Sequence, residues 1–214
     1  MNTNFPDSIQ NIFFKDTIWG LLYHERDDVL IVDTRNEAQK ETNQWVLDLT
    51  SLQREKMNVE IHWMERWIGS TENFMYSIRY KDPADPSNYQ LRKFDLENKL
   101  WVEVKEVPTL ETTIVEPQLY DLDSAYHKTV SQFLALELVV PCEYLELDHK
   151  IIISYYLRSK NGFDRFLLLI EEGEKRWKIK QDSDMRGFAG GAFFVVRNKL
   201  VFVKDRNEVC IHSF

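Results

Sequence analysis

IISYYLRSKNGFDRFLLLI, from Ile152 to Ile170, decides the fold. Two apolar runs rich in Ile, Leu and aromatic residues flank a polar turn, the composition of a strand, a turn and a second strand. The plan recurs three times: LIVDTRNEAQKETNQWVLDL from Leu30, MYSIRYKDPADPSNYQLRKFDL from Met75, and LVFVKDRNEVCIHSF from Leu200. In each hairpin the first strand ends on a charged residue, Arg35, Lys81, Arg158 or Lys204. Two of the spacings between starts are close to a period of about 45–50 residues, and the middle one holds an insertion of roughly 30, a spacing characteristic of propeller blades.

A further strand-like piece precedes each hairpin: Ile18 to His24, Ile61 to Ile68, Pro141 to Leu147 and Phe188 to Val196. The first three hairpins continue into a short third strand around Thr50–Lys56, Trp101 and Trp177. The expectation is a mainly β, single-domain chain of about four antiparallel repeat units, roughly 12–58, 59–106, 141–180 and 181–214, forming a small propeller or a curled meander. The insertion, 107–140, reads as a proline-flanked extended loop, VPTLETTIVEPQL, and then one helix near 122–138. Ser124 is its expected cap, and Ala125, Tyr126, Val130, Phe133, Leu134 and Leu138 form its apolar face. A second short helix is conceivable at Ser183 to Arg186. An N-terminal strand near Asn11 to Lys15 would complete the last sheet and close the ring. Without it, the edge of the last hairpin would invite strand addition and homo-oligomers.

Composition supports this reading. Six Trp, nine Tyr and thirteen Phe make 13% of the 214 residues aromatic. With only seven Gly and six Pro, the turns fall to Asn and Asp, which bond their own backbone and tolerate left-handed geometry. In NYQLRKFDL the alternation is imperfect, and a bulge could shift it.

FDLENKLW and LIEEGEKRW resemble the outer-strand turn of tryptophan-bearing β-propeller repeats, although Asn98 stands in one turn where Gly173 stands in the other. From roughly Ile12 to Phe214 the chain is similar to an uncharacterised bacterial family with propeller-like β repeats. FFKDTIWGLLY, IHWMERWIGS, CEYLELDHKIIISYYLR and FFVVRNKLVFVKDRNEV carry that resemblance. It implies a β-repeat fold and brings no activity with it.

Several function classes find no support. Twenty-seven Lys and Arg against thirty-five Asp and Glu give a net charge of −8, without the clustered cations that nucleic-acid binding needs. The longest apolar runs, such as Phe166–Ile170 and Ala192–Val196, fall far short of the roughly 20 residues of a membrane helix. MNTNFPDSIQ lacks the features of a secretory leader. Cys142 and Cys210, each in an apolar context, read as buried free thiols. A soluble cytoplasmic protein is expected.

Phosphate-loop, dinucleotide, nucleophile-elbow and zincin motifs are absent from the sequence. Arg186-Gly-Phe-Ala-Gly-Gly191 precedes a strand and reads as a tight turn. The five histidines, His24, His62, His127, His149 and His212, have no paired spacing. His24-Glu25 and Glu60-x-His62 would form a metal site only if the repeats converged. The acidic pieces Asp82–Asp85 and Asp182–Asp184 read as turns. No metal or cofactor is expected.

The densest stretch is Ile61-His-Trp-Met-Glu-Arg-Trp-Ile68. Trp and Arg dominate binding hot spots, so His62, Trp63, Glu65, Arg66 and Trp67, with Arg186, are the candidate ligand-binding residues. On a strand, Trp63, Glu65 and Trp67 would share one face. The alternative is that both indoles are core and Glu65 pairs with an arginine such as Arg186. The expected function is a non-catalytic binding or scaffold module for an unknown protein or small molecule. The alternative is a hydrolase or lyase acting on a carbohydrate or other small polar compound at a central channel, with unknown catalytic residues.

Overall fold

The computed structural model describes residues 8–82, 84–110, 113–188 and 190–214. Pro83 of the acidic turn, Glu111 and Thr112 of the proline-flanked loop and Ala189 of the glycine-rich piece lie outside them. The described residues form strands β1 (Ile9–Phe13), β2 (Thr17–His24), β3 (Val29–Asn36), β4 (Glu41–Asp48), β5 (Arg54–Lys56), β6 (Glu65–Ser70), β7 (Phe74–Tyr80), β8 (Tyr89–Asp95) and β9 (Trp101–Val104). After these come β10 (Ile114–Val115), β11 (Gln118–Tyr120), helix α1 (Ala125–Leu134), β12 (Cys142–Leu147), β13 (Lys150–Arg158), β14 (Phe163–Glu171) and β15 (Glu174–Met185). The chain ends with β16 (Phe193–Val196), β17 (Lys199–Lys204) and β18 (Glu208–Ser213). All pairings are antiparallel within four sheets, β2-β3-β4-β5, β6-β7-β8-β9, β11-β12-β13-β14-β15 and β1-β18-β17-β16-β10. Among the described residues no helix is long and apolar enough to cross a membrane.

The chain divides into two compact units, one of Phe14–Thr113 and the other of the residues up to Phe13 together with Ile114–Phe214. In the second unit, Ile152, Leu167, Leu169, Trp177 and Ile179 pack with Phe193, Val195, Leu200, Phe202 and Cys210 of the last sheet. The opposite face of β13 and β14, with Ile153, Tyr155, Leu168 and Ile170, packs with Val130 of α1. Strands buried on both faces need apolar residues at every position. Hence the unbroken runs Ile151–Ile153 and Phe166–Ile170, where a half-exposed strand would alternate. The unit of Phe14–Thr113 has its own core of Val29, Ile31, Ile61, Trp67, Met75 and Phe94.

α1 starts where expected, its Ser124 hydroxyl accepting the His127 amide at 3.1 Å. It stops at Ala135 in the left-handed conformation. The extended loop before it contributes β10 to the last sheet and β11 to the third. Ser183 to Arg186 is not helical: β15 continues to Met185, paired to β14 through several bulges. Among turn residues, Asp28, Asp123, Asp148 and Asp205 take positive φ, as Asp184 does within β15, and no described asparagine does. Aspartate oxygens also cap turn amides, as Asp48 does for Thr50 and Ser51 and Asp95 for Glu97 and Asn98.

β8 runs in unbroken register with both neighbours. The bulges of the first unit lie instead at Trp19 in β2 and Ile68 in β6, each just before a glycine. The tip of the Leu110 side chain packs against Gly69 and would have to shift for a Cβ there. The N-terminal strand falls at Ile9–Phe13, slightly earlier than expected, and pairs with β18 from Ile9 opposite His212 to Phe13 opposite Glu208. β18 is therefore covered, and of the two alternatives for the last hairpin it is the one with an N-terminal strand that is found.

Candidate functional site

The chain enters the second sheet through the turn His62-Trp63-Met64, and only then does β6 begin, at Glu65. The strand expected from Ile61 is shorter because the His62 imidazole Nδ1 accepts the Met64 amide at 3.2 Å and the Glu65 amide donates back to the His62 carbonyl at 2.8 Å. These local bonds satisfy the backbone in a turn rather than a ladder. Trp63 therefore leaves the face that it would share with Glu65 and Trp67. It is 40% exposed, with the Lys40 ammonium 5.7 Å from its ring. Trp67 is buried and stacks on Trp101 at 5.4 Å. The two indoles thus have different fates, one surface and one core.

Glu65 is fully buried. Its carboxylate accepts from the Ser77 hydroxyl at 2.6 Å and from the Arg92 guanidinium at 2.8 Å. The arginine that faces it is Arg92, from β8 of the same unit, which also lies 4.0 Å from the Trp101 ring centre. Arg186 belongs to the other unit, where it is exposed just beyond β15. Arg66 is exposed and donates to the Tyr80 hydroxyl at 3.3 Å.

Asp33 of β3 joins this buried polar group. Gln44 donates to it at 3.1 Å, and neighbouring Arg35 donates to the Glu65 carbonyl at 2.9 Å. Burial pushes the Asp33 carboxyl up to about 6, with the Glu65 charge adding to the rise, while Gln44, Arg35 and the Trp67 amide hold it back. A raised carboxyl stabilises the fold fully only below its unfolded value near 3.8, and the contribution is lost as pH rises through about 6. Its ionisation at pH 8 costs roughly 3 kcal/mol. Asp33→Asn is therefore expected to gain stability on wild type as pH rises from 4.5 to 8 in urea unfolding. Parallel profiles for the two proteins would contradict this.

A similar trio recurs in the other unit. Glu143 of β12 is buried, stands opposite Ser154 of β13 in register and accepts the amides of Gly191 and Ala192. Burial raises its carboxyl, opposed by these amides and by the charge of Arg165. Arg165 itself pairs with buried Asp182 at 2.5 Å. Ser77, Arg92, Asp33, Arg35, Glu143, Ser154 and Arg165 were not singled out in the sequence. One signal was there: Ser77 and Ser154 occupy the same third place of their hairpin segments, after Met75-Tyr76 and Ile152-Ile153.

Three surface cavities lie elsewhere. One of about 300 Å³ is lined by Tyr120, Tyr126, Phe133, Tyr144, Glu146 and Ile151, among others. A second, of about 460 Å³, runs along Lys40–Gln44 and Lys56–Ile61. The third, of about 380 Å³, is lined by His62, Met64, Arg79, Tyr80, Lys81 and Gln90. None is lined by Asp33, Glu65, Glu143 or Asp182. Among the described residues no three His, Cys, Asp or Glu side chains gather as a metal site. Both cysteines are free and buried, and burial, with nearby carboxylates, pushes Cys142 up to about 11 and Cys210 up to about 12.

No protein-family model matches the chain, and no curated protein does. Among solved structures it is similar to the Pyrococcus horikoshii acylaminoacyl peptidase (orthorhombic crystal form), at 10% identity and a TM-score of 0.26 over 89% of this chain. The match spans 36% of that chain.

Proposed function

We propose that the protein is a non-catalytic binding module, a single domain whose four sheets are arranged as a small β-propeller, acting in the reducing cytoplasm on a protein or small-molecule ligand. One observation carries the functional reading: three buried carboxyls take their hydrogen bonds from within their own units. Glu65 is held by Ser77 and Arg92, Asp33 by Gln44, and Glu143 by two backbone amides. General acid–base chemistry needs two titratable groups within reach of one another and of a substrate in a cleft. Here the strongly perturbed carboxyls line none of the three cavities, which are walled mostly by exposed or half-exposed residues suited to contact. The pairing of β1 with β18, which joins the two ends of the chain in one sheet, supports the closed arrangement. Two buried free thiols support the compartment.

The test is a turnover screen of the full chain with chromogenic esters, glycosides and peptides, beside a thermal-shift screen of small metabolites. The expected result is a ligand that raises the melting temperature and no turnover above blank. Turnover that is lost in a folded Asp33→Asn or Glu65→Gln variant would overturn the proposal in favour of a hydrolase or lyase.

A further inference from the structure

We infer that the cavity at the ends of β6, β7 and β8 binds a small oxyanion, a phosphate or carboxylate group held by Arg79, Lys81 and His62. The inference rests on the binding-module reading and names the class of its ligand. The cavity, about 380 Å³, is walled by His62 and Met64 from the entry turn, by Arg79, Tyr80 and Lys81 from the end of β7, and by Gln90 from β8. Arg79 stands opposite Gln90 in register, so a guanidinium fork and an amide donor rise from one face of the sheet. Arg79 is only half-exposed. Among the described residues neither it nor Lys81 has a carboxylate within ion-pair distance.

Of the carboxylates nearest in the chain, Glu60 is exposed and the other three have hydrogen-bond donors of their own. Glu65, opposite Arg79 in register, accepts from Ser77, Arg92 and the His62 amide. Asp82 accepts the Ala84 amide, and Asp85 accepts both the amide and the hydroxyl of Ser87. Arg79 and Lys81 therefore bring two cations without an ion-pair partner to the cavity wall, in a chain of net charge −8. At His62, burial first, then the charges of Arg79 and Arg92 against that of Glu65, hold the imidazole below the ordinary value. Because Nδ1 accepts the Met64 amide, the neutral ring carries its proton on Nε2, as a donor. A guanidinium, an ammonium, an imidazole N–H and an amide around one cavity match the acceptors of an oxyanion, which an arginine fork can bind through two parallel bonds.

The test is calorimetric titration of the full chain with inorganic phosphate, with citrate, and with sodium chloride at matched ionic strength, alongside an NMR titration of the His62 ring. One-to-one binding of phosphate or citrate, and a rise in the His62 pKa on binding, are expected. Tighter binding of phosphate marks a phosphoryl ligand, and tighter binding of citrate a carboxylate. Arg79→Gln and Lys81→Ala should each weaken binding at least tenfold. Lys81 is exposed, so its variant carries the test even if Arg79→Gln folds poorly. An equal response to chloride, or undiminished binding in Lys81→Ala and in a folded Arg79→Gln, would overturn the inference. A neutral ligand found in the thermal-shift screen and indifferent to both substitutions would leave the binding-module reading standing while removing the anion.

Discussion

Arg92→Met is expected to destabilise the protein by about 3–5 kcal/mol, the usual consequence of leaving a buried charge without its partner. Glu65 is fully buried and the Arg92 side chain 18% exposed, at 2.8 Å. Methionine keeps an unbranched chain against Trp101, so the loss reports charge more than packing. Water cannot take the place of the guanidinium at a carboxylate with no exposed surface. Pairing the change with Glu65→Gln removes the stranded charge while keeping an acceptor for Ser77. The double variant should therefore recover most of the loss in chemical denaturation. An Arg92→Met protein within about 1 kcal/mol of wild type, or a double variant no more stable than the single, would show that the pair is not what holds this part of the sheet.

Removing residues 1–13 should have an effect of similar size, for a different reason. β1 pairs five residues with β18 and buries Ile9 in the core with Trp177, Phe202 and Cys210. Loss of a buried isoleucine alone costs about 2–5 kcal/mol. The truncation also uncovers the edge of β18, a row of unpaired amides and carbonyls that invites other strands. A lower melting temperature and concentration-dependent association in light scattering are the expected results. Ile9→Ala keeps the strand and should lower stability without association. A truncated protein that stays monomeric at unchanged melting temperature would mean that β1 is not an integral strand of the sheet.

These two results concern features of very different legibility. The hairpin at Ile152–Ile170 was plain because strand character is local: apolar β-formers, a polar turn, and more β-formers. For the same reason Ser124 could be placed as a cap. The His62–Trp67 run was legible as unusual but misassigned in detail. The turn held by the His62 ring breaks, ahead of Glu65, the period of two from which faces are counted. Alternation from Ile61 then put Trp63 beside Trp67, where the structure has one indole outside and one inside.

The amino-acid order was enough for what depends on near neighbours: mainly β character, four hairpin units, one helix with its cap, aspartate-rich turns and a chain without metal or nucleotide motifs. Which charge meets which depends on register across strands that are far apart in sequence. Arg92 lies 27 positions from Glu65 and reaches it because β7 sets both strands in place. The same holds for the pairing of Ile9 with His212, and for the meeting of His62, Arg79 and Gln90 around one cavity. Such contacts are fixed by the mutual register and packing of whole strands, and no local pattern of residues encodes them.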